Sequence, residues 1–273
     1  MPDINPDLAR LTQPKTQSEI SQLVNSQAQY FPDFARIYIP NHPIQKNQPG
    51  YEPSQPLELT NSNPYESDIE RSIRRTRKSI KDYVFCNNFD LFATFTFATN
   101  RQSIESCKTR MSDWLRNQRK RKGKFQYLII SELHKDKLSL HFHALLKDYP
   151  GEIKQSFYDS GLPIKQDGHL VFTIPSYTLG FTNVKKIDPD KYSHLSVAFY
   201  LQKYITKDMP LFFGKNRYWA SRGLLKPYLE DNPEPFYIGI EPTREYETDH
   251  GKIIEIDKGV SPLVDMFIES HWK

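Results

Sequence analysis

FQYLIISELHKDKLSLHFHALL, residues 125–146, sets two apolar runs on either side of the polar tetrapeptide HKDK. Runs of this length, bounded by a polar turn, read as the strands of a β-hairpin, 125–133 and 139–146. Side chains alternate across a strand. Ser139, His141, His143 and Leu145 therefore share one face, and Leu138, Leu140, Phe142 and Ala144 share the other, a clean core face. On the first strand Leu128, Ile130 and Glu132 lie together, and the simple hairpin register sets Glu132 beside the histidines. Two imidazoles and one carboxylate, with positions left for water, suit an open site for Mn²⁺ or Mg²⁺ better than a closed structural one. His134 either supports that group or is only a turn residue.

Outward from the hairpin, LFATFTFA (91–98) alternates as a strand, and Ile104, Cys107, Met111, Trp114 and Leu115 recur at helical spacing from Ser103 to about Lys120. ESDIERSIRRTRKSIKDYVF (66–85) reads as an amphipathic basic helix. Residues 152–159 are expected to be helical, and HLVFTIPS (169–176) and GFTNVKKI (180–187) to form short strands or irregular edges. Asp188-Pro189-Asp190 is expected to open a helix running to about Lys207, with Pro210 as its stop. This order implies an α+β fold with a central antiparallel sheet flanked by helices. It is expected over residues 66–228. Residues 1–65, rich in Pro, Gln, Asn and Ser, read as a polar, poorly structured, flexible N-terminal extension with helical pieces near 17–30. Residues 229–273 read as a C-terminal extension with one β-like run, KIIEI.

The chain has 273 residues and a net charge of +4, with a mean hydropathy of −0.68. Arg71 to Lys124 contains fifteen Lys/Arg against four Asp/Glu, a local +11 that leaves −7 for the rest. A basic block beside an acidic remainder points to a polyanion such as DNA. Two cysteines, far apart, make neither a zinc knuckle nor a disulfide framework and read as reduced residues of a cytoplasmic protein. The start MPDINPDLARLTQPKTQ has no signal-peptide pattern, and no apolar run spans a bilayer, so no membrane partner is expected.

SVAFYLQKYITKD (196–208) carries the second group of reactive side chains. On a helix Tyr200 and Tyr204 lie about 40° apart on one face, flanked by Lys203 and Lys207, while Ala198, Leu201 and Ile205 face the core. A free phenol, with a pKa of about 10, is a weak nucleophile at neutral pH. Adjacent cations favour its phenolate and offset charge building on a phosphate.

These residues together resemble the HUH endonucleases, and among them the rolling-circle replication initiators of plasmids and single-stranded DNA phages. LFATFTF (91–97) is similar to their first motif, HFHALL (141–146) to the second, and YLQKY followed by ITK (200–207) to the third. Glu132 falls where that family often has its third metal ligand, and RYWASRGLLKP (217–227) resembles a stretch that follows the tyrosine motif. The resemblance covers about residues 70–227. It implies a ferredoxin/RRM-like sheet and a divalent metal held by His141, His143 and Glu132. It also implies attack by Tyr200 on a scissile phosphate and a second transfer by Tyr204, assisted by Lys203 and Lys207. The product would be a 5′-phosphotyrosine and a free 3′-OH that primes host polymerase.

No G-x-x-x-x-G-K-[ST] occurs in the sequence, so a host helicase is expected, in the cytoplasm of a bacterial host. The DNA partner would be a single strand or an origin hairpin. Arg74, Arg75 and Lys78 on the first helix, with Arg119, Arg121 and Lys122 on the next, are candidates for phosphates, and Arg217, Tyr218 and Arg222 for unpaired bases. Two alternatives stay open: an HUH transposase or relaxase, and a non-catalytic DNA-binding regulator.

Overall fold

A computed structural model of the chain describes residues 22–46, 67–189, 191, 193–206, 209, 211 and 216–272. In chain order its elements begin with β1 (Gln22–Val24), β2 (Gln27–Tyr30), β3 (Phe34–Pro40), β4 (Ile44–Lys46), α1 (Asp68–Cys86), β5 (Leu91–Thr96) and α2 (Ile104–Arg121). Then come β6 (Gln126–Leu133), β7 (Leu140–Lys147), β8 (Lys154–Gln155), β9 (Lys165–Gln166), β10 (His169–Leu170), β11 (Phe172–Thr173), β12 (Thr182–Lys186) and α3 (His194–Gln202). The last are β13 (Tyr218–Ala220), β14 (Tyr228–Asp231), β15 (Arg244–Thr248), β16 (Gly251–Asp257) and α4 (Pro262–His271). The architecture is α+β with antiparallel sheets. No helix among the described residues is long and apolar enough to cross a membrane.

The chain divides into two units, one spanning residues 65–227 and the other drawn from the two ends. The first is built on a seven-stranded antiparallel sheet, β13-β6-β7-β5-β12-β11-β8. Its hairpin turn is fixed by Asp136, whose carboxylate accepts from the backbone N–H of Leu138 and Ser139 and from the Ser139 hydroxyl. With the turn held, β6 and β7 pair so that Glu132 lies directly opposite His141 and Ile130 opposite His143.

The alternation of β7 sends Phe142, Ala144 and Leu146 to one side, where α2 packs Cys107, Met111, Trp114 and Leu115 onto them. Each of these large side chains contributes about 1.5–3 kcal/mol on burial. The histidine face is not solvent-facing, as a half-exposed strand would make it. Leu145, Leu128, Ile130 and Phe92 lie under α1 and α3 on that side, so helices cover both faces.

α1 starts at a capping box, the Ser67 hydroxyl accepting from Glu70 N–H while Glu70 reaches back to Ser67 N–H, worth about 1 kcal/mol. Its Ile73, Ile80 and Val84 face is buried. Asn87 ends it, its amide donating to the Tyr83 and Leu225 carbonyls.

Two expected helices differ. Residues 152–159 contain β8 and turns, because Phe172 and Thr173 pair with Gln155 and Lys154 and take up their backbone groups. α3 begins at His194 rather than near Asp188: Pro189 disfavours helix at the residue before it, and Ser193 supplies the N-cap, accepting from Ser196 N–H at 3.2 Å. It ends at Gln202, and the chain then tightens, with Tyr204 N–H donating to Leu201 O and Ile205 N–H to Gln202 O.

The second unit corrects the reading of both ends as extensions. Its sheet, β14-β2-β3-β16-β15, interleaves strands from each end of the chain, and residues 22–30 form β1 and β2 rather than helical pieces. Ala28, Tyr30, Ala35, Ile37 and Ile256 pack beneath Val264 and Ile268 of α4. Tyr30 also stacks on His271, 4.3 Å between centroids. The rest of the expected extension, residues 1–21 and 47–65, lies outside the described residues.

Candidate active site

Glu132, His141 and His143 converge because opposite residues on paired strands share a face. Their ligand atoms all lie within 4.8 Å of one another. Glu132 Oε2 is 2.7 Å from His143 Nε2 and 3.3 Å from His141 Nε2. On the third strand Thr94 lies opposite His143, and its hydroxyl is 3.1 Å from His143 Nδ1, which fixes the ring and leaves Nε2 aimed at the carboxylate.

Burial alone would push the Glu132 carboxyl up, but hydrogen bonds and charge from His141 and His143 outweigh it and hold it at about 2. Burial pushes His143 down against the pull of Glu132. The carboxylate is therefore ionised and the buried imidazole neutral at pH 7, the state in which both are metal donors. His141 Nε2 is buried, and its contact with the Glu132 carboxylate, at 3.3 Å, is longer than that of His143 and poorly aligned. Two imidazole nitrogens and an anionic oxygen at these distances could hold a metal ion.

α3 and the turn after it bring the two phenols to this cluster. The Tyr204 ring stacks on the His143 ring, centroids 3.6 Å apart and planes 14° apart. Tyr200 meets Tyr204 edge-on at 5.8 Å and Phe92 edge-on at 4.9 Å. Ala198, Leu201 and Ile205 are fully buried and anchor the segment. Lys203 Nζ sits 5.2 Å from the Tyr200 ring centroid. Lys207 lies outside the described residues. Burial first, then Tyr200, and then the Glu132 and Asp167 carboxylates push the Tyr204 phenol well above its usual range.

Several residues that hold this arrangement were not assigned that role from sequence. Arg77 of α1 donates to Ile205 O at 3.1 Å, and Gln202 donates to Arg77 O at 2.7 Å. Lys185, opposite Phe92 on β12 and hence on the site face, is buried and paired with Asp167 at 3.0 Å. Asp167 is at the tip of the β9–β10 hairpin, where it and Gly168 both have positive φ. Thr94 and Lys185 carry only their strand alternation as a signal, and that becomes informative once the strand partners are known.

The basic residues fall into three groups. Arg74, Arg75 and Lys78 lie on the exposed side of α1. Arg119, Arg121 and Lys122 are not brought to the site. α2 packs on the opposite face of the sheet, and its C-terminus joins the start of β6, about 20 Å along the strand from Glu132. There they complement the helix dipole, and Arg119 also hydrogen-bonds Tyr127. Arg222 is exposed in the turn after β13, next to Gly223, whose carbonyl accepts from Gln126 at that same far end.

Arg217 is buried rather than free to stack on a base: it donates to the Ser72 hydroxyl at 3.0 Å and to Thr206 O at 3.4 Å. Tyr218 is half-buried, opposite Ile130 on the site face and edge-on to Tyr83. His134 is exposed in the hairpin turn, its ring 5.4 Å from that of His141.

No curated protein and no solved structure matches the chain. Over residues 90–209, from the start of β5 past the turn that follows α3, it matches the family described as Replication-associated protein ORF2/G2P. That stretch contains Glu132, His141, His143, Tyr200 and Tyr204, and the match supports a role in initiating replication.

Proposed function

We propose that this chain is a rolling-circle replication initiator of the HUH type, a metal-dependent, site-specific nickase and strand transferase for single-stranded DNA. The observation that carries the reading is two phenols beside a Glu–His–His cluster, Tyr204 stacked on His143 and Tyr200 edge-on to Tyr204. His141, His143 and Glu132 would hold Mn²⁺ or Mg²⁺. Bound there, such a cation polarises a phosphodiester and offsets its developing charge.

The chain's own residues do the rest. Thr94 and Glu132 orient the His143 ring. Phe92, Tyr204 and Lys203 position the Tyr200 phenol. Tyr200 Oη forms the new P–O bond as the P–O3′ bond breaks. The phenolic proton leaves to solvent, and the departing 3′ oxygen takes one up. Lys203 compensates negative charge beside the phenolate. The free 3′-OH then primes host polymerase, with unwinding by a host helicase in the bacterial cytoplasm. After one round Tyr204 takes the second transfer, with Lys207 in the role that Lys203 has for Tyr200.

The test is incubation of the purified chain and Mn²⁺ with single-stranded oligonucleotides tiled across the replicon that encodes it. An SDS-stable adduct that requires metal, mapped by mass spectrometry to Tyr200 or Tyr204, is the expected result. Tight binding of an oligonucleotide with no adduct under any metal leaves a DNA-binding regulator and overturns the enzyme reading.

A further inference from the structure

A cavity of about 330 Å³ opens between the first half of α1 and the start of β13. Arg71, Ser72 and Arg75 line it from the helix, and Asn216, Arg217 and Tyr218 from the segment that leads into the strand. Three guanidinium groups face one carboxylate there, that of Asp68, which holds Arg71 at 3.4 Å. The lining is thus cationic and rich in hydrogen-bond donors, with one aromatic ring, and its volume is at the small end of ligand pockets, ~300–1,000 Å³. That size admits one nucleotide and excludes a duplex.

Its position is specific. Tyr218 lies opposite Ile130, which lies opposite His143 and is two residues before Glu132 on the same face. Strand spacing then puts the Tyr218 backbone on the order of 8 Å from that of Glu132. Arg217 forms part of the wall and also bonds Thr206 O, two residues beyond Tyr204. The cavity and the tyrosine segment therefore share a structural member.

We propose that this cavity takes a single nucleotide of the DNA strand next to the one being cut. Arg71 and Arg75 hold its phosphate, Tyr218 packs on its base, and Asn216 and Asp68 meet the base edge. The assignment rests on the function proposed above. It replaces the picture of a basic helix tracking phosphates along its length with one built pocket, and it leaves the cluster at the end of α2 out of the contact.

The experiment uses the full chain in EDTA, so that no cutting occurs, and a single-stranded thymidine 20-mer as the probe. Binding is followed by fluorescence anisotropy across a salt series. Arg75 is exposed, so Arg75→Ala leaves the fold intact. It is expected to weaken binding about fivefold and to reduce the log–log salt slope by about 0.7, the value for one phosphate contact on a single strand. Arg121→Ala is expected to change neither. In a second arm, photo-crosslinking with a 5-iodouracil-substituted 20-mer is expected to label the Tyr218 peptide. The proposal is overturned if the probe binds but Arg75→Ala matches the parent in affinity and slope, or if crosslinks fall only outside the cavity. Failure of the parent chain to bind the probe at all also overturns the pocket, while the proposed function stands or falls by the adduct test above.

Discussion

The imidazole of His143 and the phenol of Tyr204 lie face to face, 3.6 Å between ring centroids. Tyr204 is thereby held beside the cluster, half-buried and resistant to ionisation, while Tyr200 stands behind it with the Lys203 ammonium at its ring. The two phenols are differently placed, and on the proposed reading Tyr200 is expected to act first. Tyr200→Phe is expected to lower first-adduct formation at least 100-fold, measured by SDS gel with a labelled oligonucleotide. Tyr204→Phe is expected to keep that adduct and lose the second transfer. Full-rate adduct formation by Tyr200→Phe would reverse the order.

Thr94 acts through His143 rather than on DNA. Thr94→Val removes the partner of Nδ1 and frees the ring to turn. Removing such a partner typically costs 10–100-fold in metal affinity. Calorimetric titration with Mn²⁺ should show that loss, with a melting temperature close to the parent's. An unchanged affinity would mean that packing alone orients the ring.

Metal should stabilise the unit of residues 65–227. Saturation at about 100 times the dissociation constant adds ~2.7 kcal/mol, visible as a rise in melting temperature on adding Mn²⁺ and its reversal by EDTA. Glu132→Gln removes the anionic donor and should abolish the rise. A rise that persists in Glu132→Gln and His141→Ala would place the cation elsewhere.

The second unit has its own pH signature. Glu255 sits between Arg36, at 2.6 Å, and Arg244, at 2.7 Å. Burial would push its carboxyl up, but the two guanidinium groups outweigh that and hold it low. A depressed folded pKa means stability that is fully present above the unfolded value of about 4.3 and is lost as pH falls through the folded value. Glu255→Gln is expected to cost about 2 kcal/mol at pH 7, less than a fully buried pair because Arg244 is partly exposed. Urea melts should show the gap between variant and parent closing at acid pH. A constant gap would assign the loss to packing.

How much of this was legible follows from where each signal lives. The β6–β7 hairpin and the shared face of Glu132, His141 and His143 rest on period-two alternation and a four-residue turn, so local sequence carried them. The buried anchors Ala198, Leu201 and Ile205 rest on helical period and were equally visible. Arg217 was misread because an arginine beside Tyr218 and Trp219 looks like a base-stacking group, whereas its partners, Ser72 and Thr206, are remote or unremarkable in sequence. The cluster Arg119–Lys122 was placed near DNA on charge alone. Its distance from the site follows from Met111, Trp114 and Leu115 choosing the Phe142 face. β2 and β3 form a local hairpin, Tyr30 opposite Ala35, but were missed because the strands that flank it, β14 and β16, lie about two hundred residues later.

That last pairing has a consequence for biosynthesis. The ribosome emits β2 and β3 early, yet their flanking strands β14 and β16 come after the whole stretch 67–227. At ~5–20 residues per second the wait is roughly 10–40 s, long enough for the unit of residues 65–227 to fold first. Through that interval Ala28, Tyr30 and Ile37 have no α4 to cover them. A chain released before α4 is made would carry a finished unit of residues 65–227 beside an aggregation-prone hairpin, which ties the solubility of the chain to synthesis of β14, β16 and α4.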